Sequence, residues 1–273
     1  MKTRFGTSGN PPNFFKSEYG GDRINAIDWI KSVNLNAYEY MMTYGARASE
    51  EKAKYLAKKS KKLDVKISVH GPYYVVLTSD KNQVRENSVK ELVKTLKLSE
   101  IMNAEKVVFH PGFRQDNALK KCINGIKEVM RIYDGKTRIL PETAGRISQL
   151  GNLKEIIKIC EKTGCEPCID FAHIHATTNG SLKNEGEFKK IITEIEKNLG
   201  NKVVKRLHCH FYPTEFTERG EKVHRAVMEK DVFPRFIDFA PIIKEFNMKP
   251  TLISESKDSQ DIGALQMKRI LGL

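Results

Sequence analysis

Cys168-Ile169-Asp170-Phe171-Ala172-His173 starts as a short apolar run, ends in a carboxylate and sets an imidazole three residues further on. As a strand that delivers Asp170 to its C-terminal end, with His173 in the loop just beyond, it brings two metal-ligand types to one mouth. An acid and a histidine at this spacing occur in many surface loops, so the stretch takes its meaning from its surroundings. Similar strand-like runs lie near 3–6, 37–41, 66–70, 106–110, 138–142, 205–210 and 249–255, with 166–170 between them. Segments of helical period separate them, near 22–32, 49–63, 83–102, 117–133, 153–162, 185–199 and 236–246, and a last one follows near 262–271. Ile156, Ile157, Ile159 and Cys160 trace the apolar face of one such helix. Turn signals at Gly20-Gly21, Asp134-Gly135, Gly164, Gly200-Asn201 and Pro250 mark the joints.

Eight strand–helix units in 273 residues predict an α/β chain folded as one (β/α)8 barrel over 1–273, with no linker-like stretch to divide it. A doubly wound open sheet is the alternative. The region Gly6–Gly9 lacks the Gly-x-Gly-x-x-Gly turn that such a sheet uses after its first strand.

Lysine and arginine outnumber aspartate and glutamate by 47 to 34, a net charge of +13. That surplus suits a polyanionic partner such as nucleic acid, although a Lys-rich solvated surface gives the same balance. The basic residues are spread over helices (Lys52, Lys54, Lys58, Lys59, Lys61, Lys62) and form no single tract. No apolar run reaches the roughly 18 residues of a membrane span, and the first residues lack a signal-peptide core, so a cytoplasmic protein is expected. Five cysteines in no framework spacing fit a reducing compartment. Cys165-Glu166-Pro167-Cys168 is read as buried or half-buried thiols and not as a redox or zinc pair.

In a barrel of this kind, functional side chains come from the C-terminal ends of the strands. Those ends carry His70, His110, Glu142, Asp170 with His173, His208 with His210, and Glu255. Each alone has a structural reading, a hydrogen-bonded histidine or a salt-bridging glutamate. Six consecutive strands ending in His, Asp or Glu point to a metal cluster, because Zn²⁺ takes this mix of imidazole and carboxylate. Alternation puts His208 and His210 on the same face of their strand, and either can be the inner ligand. His175 is read as a structural or substrate-facing loop residue, and His224 on its own as a surface histidine.

In order along the chain, Ser68-Val69-His70-Gly71-Pro72-Tyr73, Phe109-His110-Pro111-Gly112, Leu140-Pro141-Glu142-Thr143-Ala144-Gly145, the opening stretch, Leu207-His208 and Leu252-Ile253-Ser254-Glu255-Ser256 resemble the endonuclease IV family of apurinic/apyrimidinic endonucleases, within the xylose-isomerase-like barrels. The resemblance implies a zinc-dependent DNA-repair hydrolase that cuts the phosphodiester 5′ to an abasic site with a metal-bound hydroxide, with Mn²⁺ as an alternative metal. It implies one ion held by His70, His110 and Glu142, and a second by Glu142, Asp170, His208 and Glu255. A third would be held by His173 and His224. It also implies that Tyr73 enters the DNA at the lesion and that Arg47 contacts the strand, with DNA as the partner and no membrane or obligate protein partner. Lys222 departs from the pattern: the family has an aspartate two residues before the histidine of the third site, and an ammonium cannot ligate a cation. Either Glu221, Glu218 or Glu215 substitutes, or the third ion is weak or absent. The competing expectation is a divalent-metal sugar isomerase or epimerase on the same barrel, for which Glu142 and Glu255 are suited.

Overall fold

The structure, a computed structural model, describes residues 2–273. Its strands are β1 Arg4–Ser8, β2 Ala37–Met41, β3 Lys66–His70, β4 Ala104–Phe109, β5 Arg138–Pro141, β6 Cys168–Asp170, β7 His208–Phe211, β8 Thr214–Thr217, β9 Gly220–His224 and β10 Thr251–Ser254. Eight of them pair in parallel in the order β5-β4-β3-β2-β1-β10-β7-β6. A parallel bridge from Glu142 to Cys168 links the two outer strands of that order and closes the (β/α)8 barrel. β8 and β9 form a separate antiparallel hairpin over the C-terminal mouth.

The helices are α1 Pro12–Lys16, α2 Ala26–Ser32, α3 Glu50–Leu63, α4 Asn82–Ile101, α5 Ala118–Ile132 and α6 Leu153–Thr163, then α7 Phe171–Thr177, α8 Glu185–Leu199, α9 Asn201–Lys205, α10 Phe236–Glu245 and α11 Gln260–Ile270. Their ends follow from local chemistry. Asn152 and Glu155 make a reciprocal capping box at the start of α6, and Gly164, at φ 77°, stops it. No helix among the described residues is long and apolar enough to cross a membrane.

Strand alternation sorts the side chains. Phe5, Ile67, Val69, Val107, Phe109, Ile139, Ile169, Cys209 and Leu252 join the main core between barrel and helices. The intervening positions Val108, Leu140 and Cys168 make a small separate cluster inside the barrel. At the same inward level the chain carries polar groups, Glu39, Ser68 and His208, all buried. Gly6 is required where β1 meets β2, since a Cβ there would collide with the Ala37 backbone.

One local reading differs from the sequence expectation, and one agrees with it. The residues after Asp170 form α7 and not a loop, because the Asp170 carboxylate accepts the His173 backbone N–H at 2.8 Å and caps that helix. As expected, Cys165 and Cys168 are a half-buried and a buried thiol that do not pair: Cys168 is inside the barrel, whereas Cys165 Sγ is 3.8 Å from Cys160 Sγ.

Candidate metal centre

Glu142 is the first residue beyond β5 and is only 1% exposed. Its Oε2 lies 3.3 Å from His70 Nε2 and 3.4 Å from His110 Nε2, and its Oε1 lies 2.9 Å from His210 Nδ1. His210 Nδ1 is also 3.7 Å from Asp170 Oδ2 and 3.6 Å from Glu255 Oε1. Two ligands at about 2.05 Å from a tetrahedral ion are roughly 3.3 Å apart. The two separations at Glu142 Oε2 match that edge, and four of the five exceed ordinary hydrogen-bond lengths. Asp170 Oδ2 is buried and has no hydrogen-bond partner, as expected of an oxygen reserved for a cation. The ligand atoms of His70, His110 and Glu142 lie within 4.8 Å of one another, as do those of Glu142, Asp170 and His210. The residues therefore fit a group of divalent ions.

Four histidines are oriented through their second ring nitrogen, the arrangement that fixes tautomer and ring angle in metal sites. His70 Nδ1 is 3.0 Å from the Gly71 carbonyl, His173 Nδ1 is 2.8 Å from the Thr143 carbonyl, and His224 Nδ1 is 3.0 Å from the Glu255 carbonyl. Carbonyl oxygens only accept, so in each ring Nδ1 donates and Nε2 keeps its lone pair for the mouth. His210 is reversed: its Nε2 meets Glu39 Oε1 at 2.9 Å, which turns Nδ1 toward Glu142, Asp170 and Glu255.

Glu39 is the member of this cluster that sequence reading missed. It sits in the middle of β2 with no exposure, and its Oε2 accepts from Ser68 Oγ at 2.8 Å and meets His208 Nε2 at 2.9 Å. The one available signal was a lone acid in the apolar-aromatic run Ala37-Tyr38-Glu39-Tyr40-Met41. His208 is not beside Glu142 and Asp170, where the resemblance puts it. It lies one inward position lower on β7, on Glu39, and His210 takes the inner place. His175 is buried on α7, where its Nδ1 accepts the Leu182 N–H at 3.0 Å, so it is structural.

The third group assembles on the hairpin. Glu221 Oε2 lies 3.3 Å from His173 Nε2 and 3.5 Å from His224 Nε2, while Tyr212 Oη and Thr214 Oγ1 donate to its other oxygen at 2.9 Å. Lys222 points the other way and pairs with Glu215 at 2.6 Å. A register irregularity between Glu215 and Phe216 accompanies this geometry, so the carboxylate one residue earlier faces the histidines. Tyr212 stacks on His224 at 4.0 Å. Gly145 gives the His173 ring its place, because a Cβ there would run into the imidazole.

Burial opposes charge throughout, and opposite charges partly reverse it. At His70 burial works against the proton, but Glu142 wins and holds it up to about 9. His224 is likewise held at about 9 by Glu221 and Glu255. Burial pushes the Asp170 carboxyl up to about 7 against the pull of His173. His110, where burial outweighs Glu142, falls to about 4. Glu142 and Glu221 stay well below the usual carboxylate range, because the facing imidazoles overcome their burial. Protons here occupy positions that cations would take over, which couples metal uptake to proton release.

Around the mouth, Tyr73 is 56% exposed and makes an edge contact with the exposed Tyr44 at 5.7 Å. Tyr74, Phe113 and Arg47 are also exposed.

A family model described as xylose isomerase-like TIM barrel matches residues 27–268. An uncharacterized protein of Methanocaldococcus jannaschii is 31% identical, over 97% of this chain and 95% of its own. A probable endonuclease 4 of Aquifex aeolicus is 30% identical, over 70% of this chain and 72% of its own. Among solved structures, endonuclease IV from Thermus thermophilus superposes with a TM-score of 0.74 at 14% identity, covering 98% of this chain and 99% of that one. D-psicose 3-epimerase from Clostridium cellulolyticum does so with 0.71 at 10% identity, covering 98% and 99%. At such identities these two superpositions speak for the fold alone.

Proposed function

Because the chain belongs to the xylose isomerase-like TIM barrel family, we propose that it is a metal-dependent phosphodiesterase that cuts DNA 5′ to abasic sites. The observation that carries this reading is the pair of imidazoles of His70 and His110 on Glu142 Oε2, at 3.3 and 3.4 Å. They add a second ligand group to Glu142, Asp170, His210 and Glu255. The group His173, Glu221 and His224 adds a third. The similarity to a protein named probable endonuclease 4 supports the same reading.

On this reading His70, His110 and Glu142 hold one ion, Glu142, Asp170, His210 and Glu255 a second, and His173, Glu221 and His224 a third. The imidazole-rich sets suit zinc, and the carboxylate-rich set also suits manganese. When bound, such ions polarise a phosphoryl oxygen and acidify water enough for it to ionise near neutrality. The chain's own groups orient and support. Glu142 directs one carboxylate oxygen to each of two ligand groups, and Glu39 keeps His210 turned by its Nε2. No side-chain nucleophile is needed, and burial of Cys209, for one, pushes its thiol up to about 12. Tyr73 and its exposed aromatic neighbours offer a wedge beside the unpaired position, and Arg47 and the basic surplus meet phosphates.

The grouping of Glu142, Asp170 and Glu255 around His210 Nδ1 favours a second reading, because four such ligands suffice for one divalent ion at a sugar-epimerising site. Incubation of the metal-loaded protein with a duplex carrying a single abasic site separates the two. A 3′-hydroxyl product is expected, and Glu142→Gln should reduce it by more than the roughly 10–100-fold that loss of a ligand's hydrogen-bonding partner costs. No cleavage with zinc, manganese or cobalt, together with turnover of a ketose, would overturn the nuclease reading.

A further inference from the structure

The opposite end of the barrel carries a feature that phosphodiester cleavage does not use. At the N-terminal strand ends, a cavity of about 390 Å³ is lined by Arg4 of β1, Lys66 of β3, Lys106 of β4 and Arg138 of β5, with Arg206 just ahead of β7. Lys2, Lys249 and Thr251 also line it, and its one acid, Glu105, pairs with Lys66. Two further carboxylates touch these cations from outside the lining: Asp64 pairs with Lys2 and Arg4, and Glu166 with Arg138 and Arg206. Seven cations thus meet three carboxylates in one recess.

Lys106 is the most buried of these cations. Lys106 is 5% exposed, and its Nζ donates to the Arg206 carbonyl at 3.2 Å. Among the described residues no carboxylate pairs with it. Arg206 Nε is buried and has no hydrogen-bond partner. Lys106 and Arg206 both line the cavity, and an anion there would satisfy the buried ammonium, since an unpaired buried charge is costly and an arginine fork matches phosphate oxygens. Burial, with Arg138 close by, also draws the Lys106 ammonium down to about 8.

We propose that this pole is a binding site for a small phosphate-class oxyanion, with buried Lys106 and the neighbouring Arg206 as donors and exposed Lys249 at its rim. The chemistry is common to free pyrophosphate and to the phosphates of a nucleotide. Duplex DNA engaged at the metal mouth is at the other end of the barrel, so the site is separate from the proposed active site and does not depend on that reading.

Isothermal titration of the metal-loaded full chain with pyrophosphate, at an ionic strength held constant with chloride, tests the proposal. Saturable binding is expected that weakens at least tenfold in Lys106→Met and severalfold in Lys249→Glu and persists in Glu142→Gln. Lys249 is exposed, so its variant reports even if the buried substitution fails to fold. A parallel titration with ATP identifies the source: tighter binding than pyrophosphate indicates a nucleotide, and equal or weaker binding a free oxyanion. Pyrophosphate binding unaffected in Lys249→Glu, or abolished in Glu142→Gln, would overturn the proposal.

Discussion

Replacing Glu39 by alanine removes the carboxylate on which three buried groups converge: Ser68 Oγ at 2.8 Å, His208 Nε2 at 2.9 Å and His210 Nε2 at 2.9 Å. None of these groups can turn to bulk water, because all lie inside the barrel. A buried polar atom left without its partner costs about 1–3 kcal/mol. Ser68 Oγ and His208 Nε2 lose hydrogen bonds, together roughly 2–6 kcal/mol, and water entering the vacated space recovers part of that. Loss of one partner from a buried charged pair typically costs about 3–5 kcal/mol, and that is the destabilisation expected for the metal-free protein. The second consequence is specific to the site. Without Glu39 nothing holds the Nε2 side of His210, so Nδ1 no longer faces Glu142, Asp170 and Glu255 by default. Losses of such outer partners lower metal affinity by about 10–100-fold. His208→Ala is the internal control, because His208 bonds to Glu39 but not to Glu142, Asp170 or Glu255. It should lose stability and keep its metal. The assays are urea unfolding of the chelator-treated protein and competition for zinc against a chromophoric chelator. Wild-type metal affinity in Glu39→Ala, or equal metal loss in His208→Ala and His210→Ala, would refute the reasoning.

Two further outcomes follow from particular contacts. Glu221→Ala should release metal from the hairpin group, whereas Lys222→Ala, which loses only an exposed pair with Glu215, should leave metal content unchanged by elemental analysis; the opposite result would return the site to position 222. Lys106 gives a pH signature. Its folded-state value of about 8 lies below the ordinary 10.5, so between these values the unfolded chain binds the extra proton and stability rises with pH, by on the order of 3 kcal/mol in all. Wild type should therefore gain on Lys106→Met in unfolding free energy between pH 7 and 10.5, and parallel profiles would show that the buried ammonium carries no penalty.

The barrel was legible in the sequence because period-2 strands and 3.6-period helices are local patterns. The runs at 37–41, 66–70 and 138–142 became β2, β3 and β5 nearly residue for residue. The convergence of His70, His110, Glu142 and Asp170 was legible for the same reason, since in this fold strand ends share one mouth. The β8–β9 hairpin and α7 were not. The hairpin is set by antiparallel pairing across a short turn, and α7 by Asp170 doubling as its cap.

By itself, then, the sequence determined which strands exist and which ligand-type residues end them. Only the tertiary structure decided which atoms meet. It chose His210 over His208, because two inward positions on one strand stand about 7 Å apart along the barrel and only the upper one reaches the mouth. It chose Glu221 for the hairpin group, because a shift of one residue in an extended strand turns a side chain to the opposite face. It enlisted Glu39, an acid far from any strand end, because closing a sheet into a barrel brings β2 and β7 within hydrogen-bond reach across the interior. Period alone specifies faces, and contact across the barrel depends on closure.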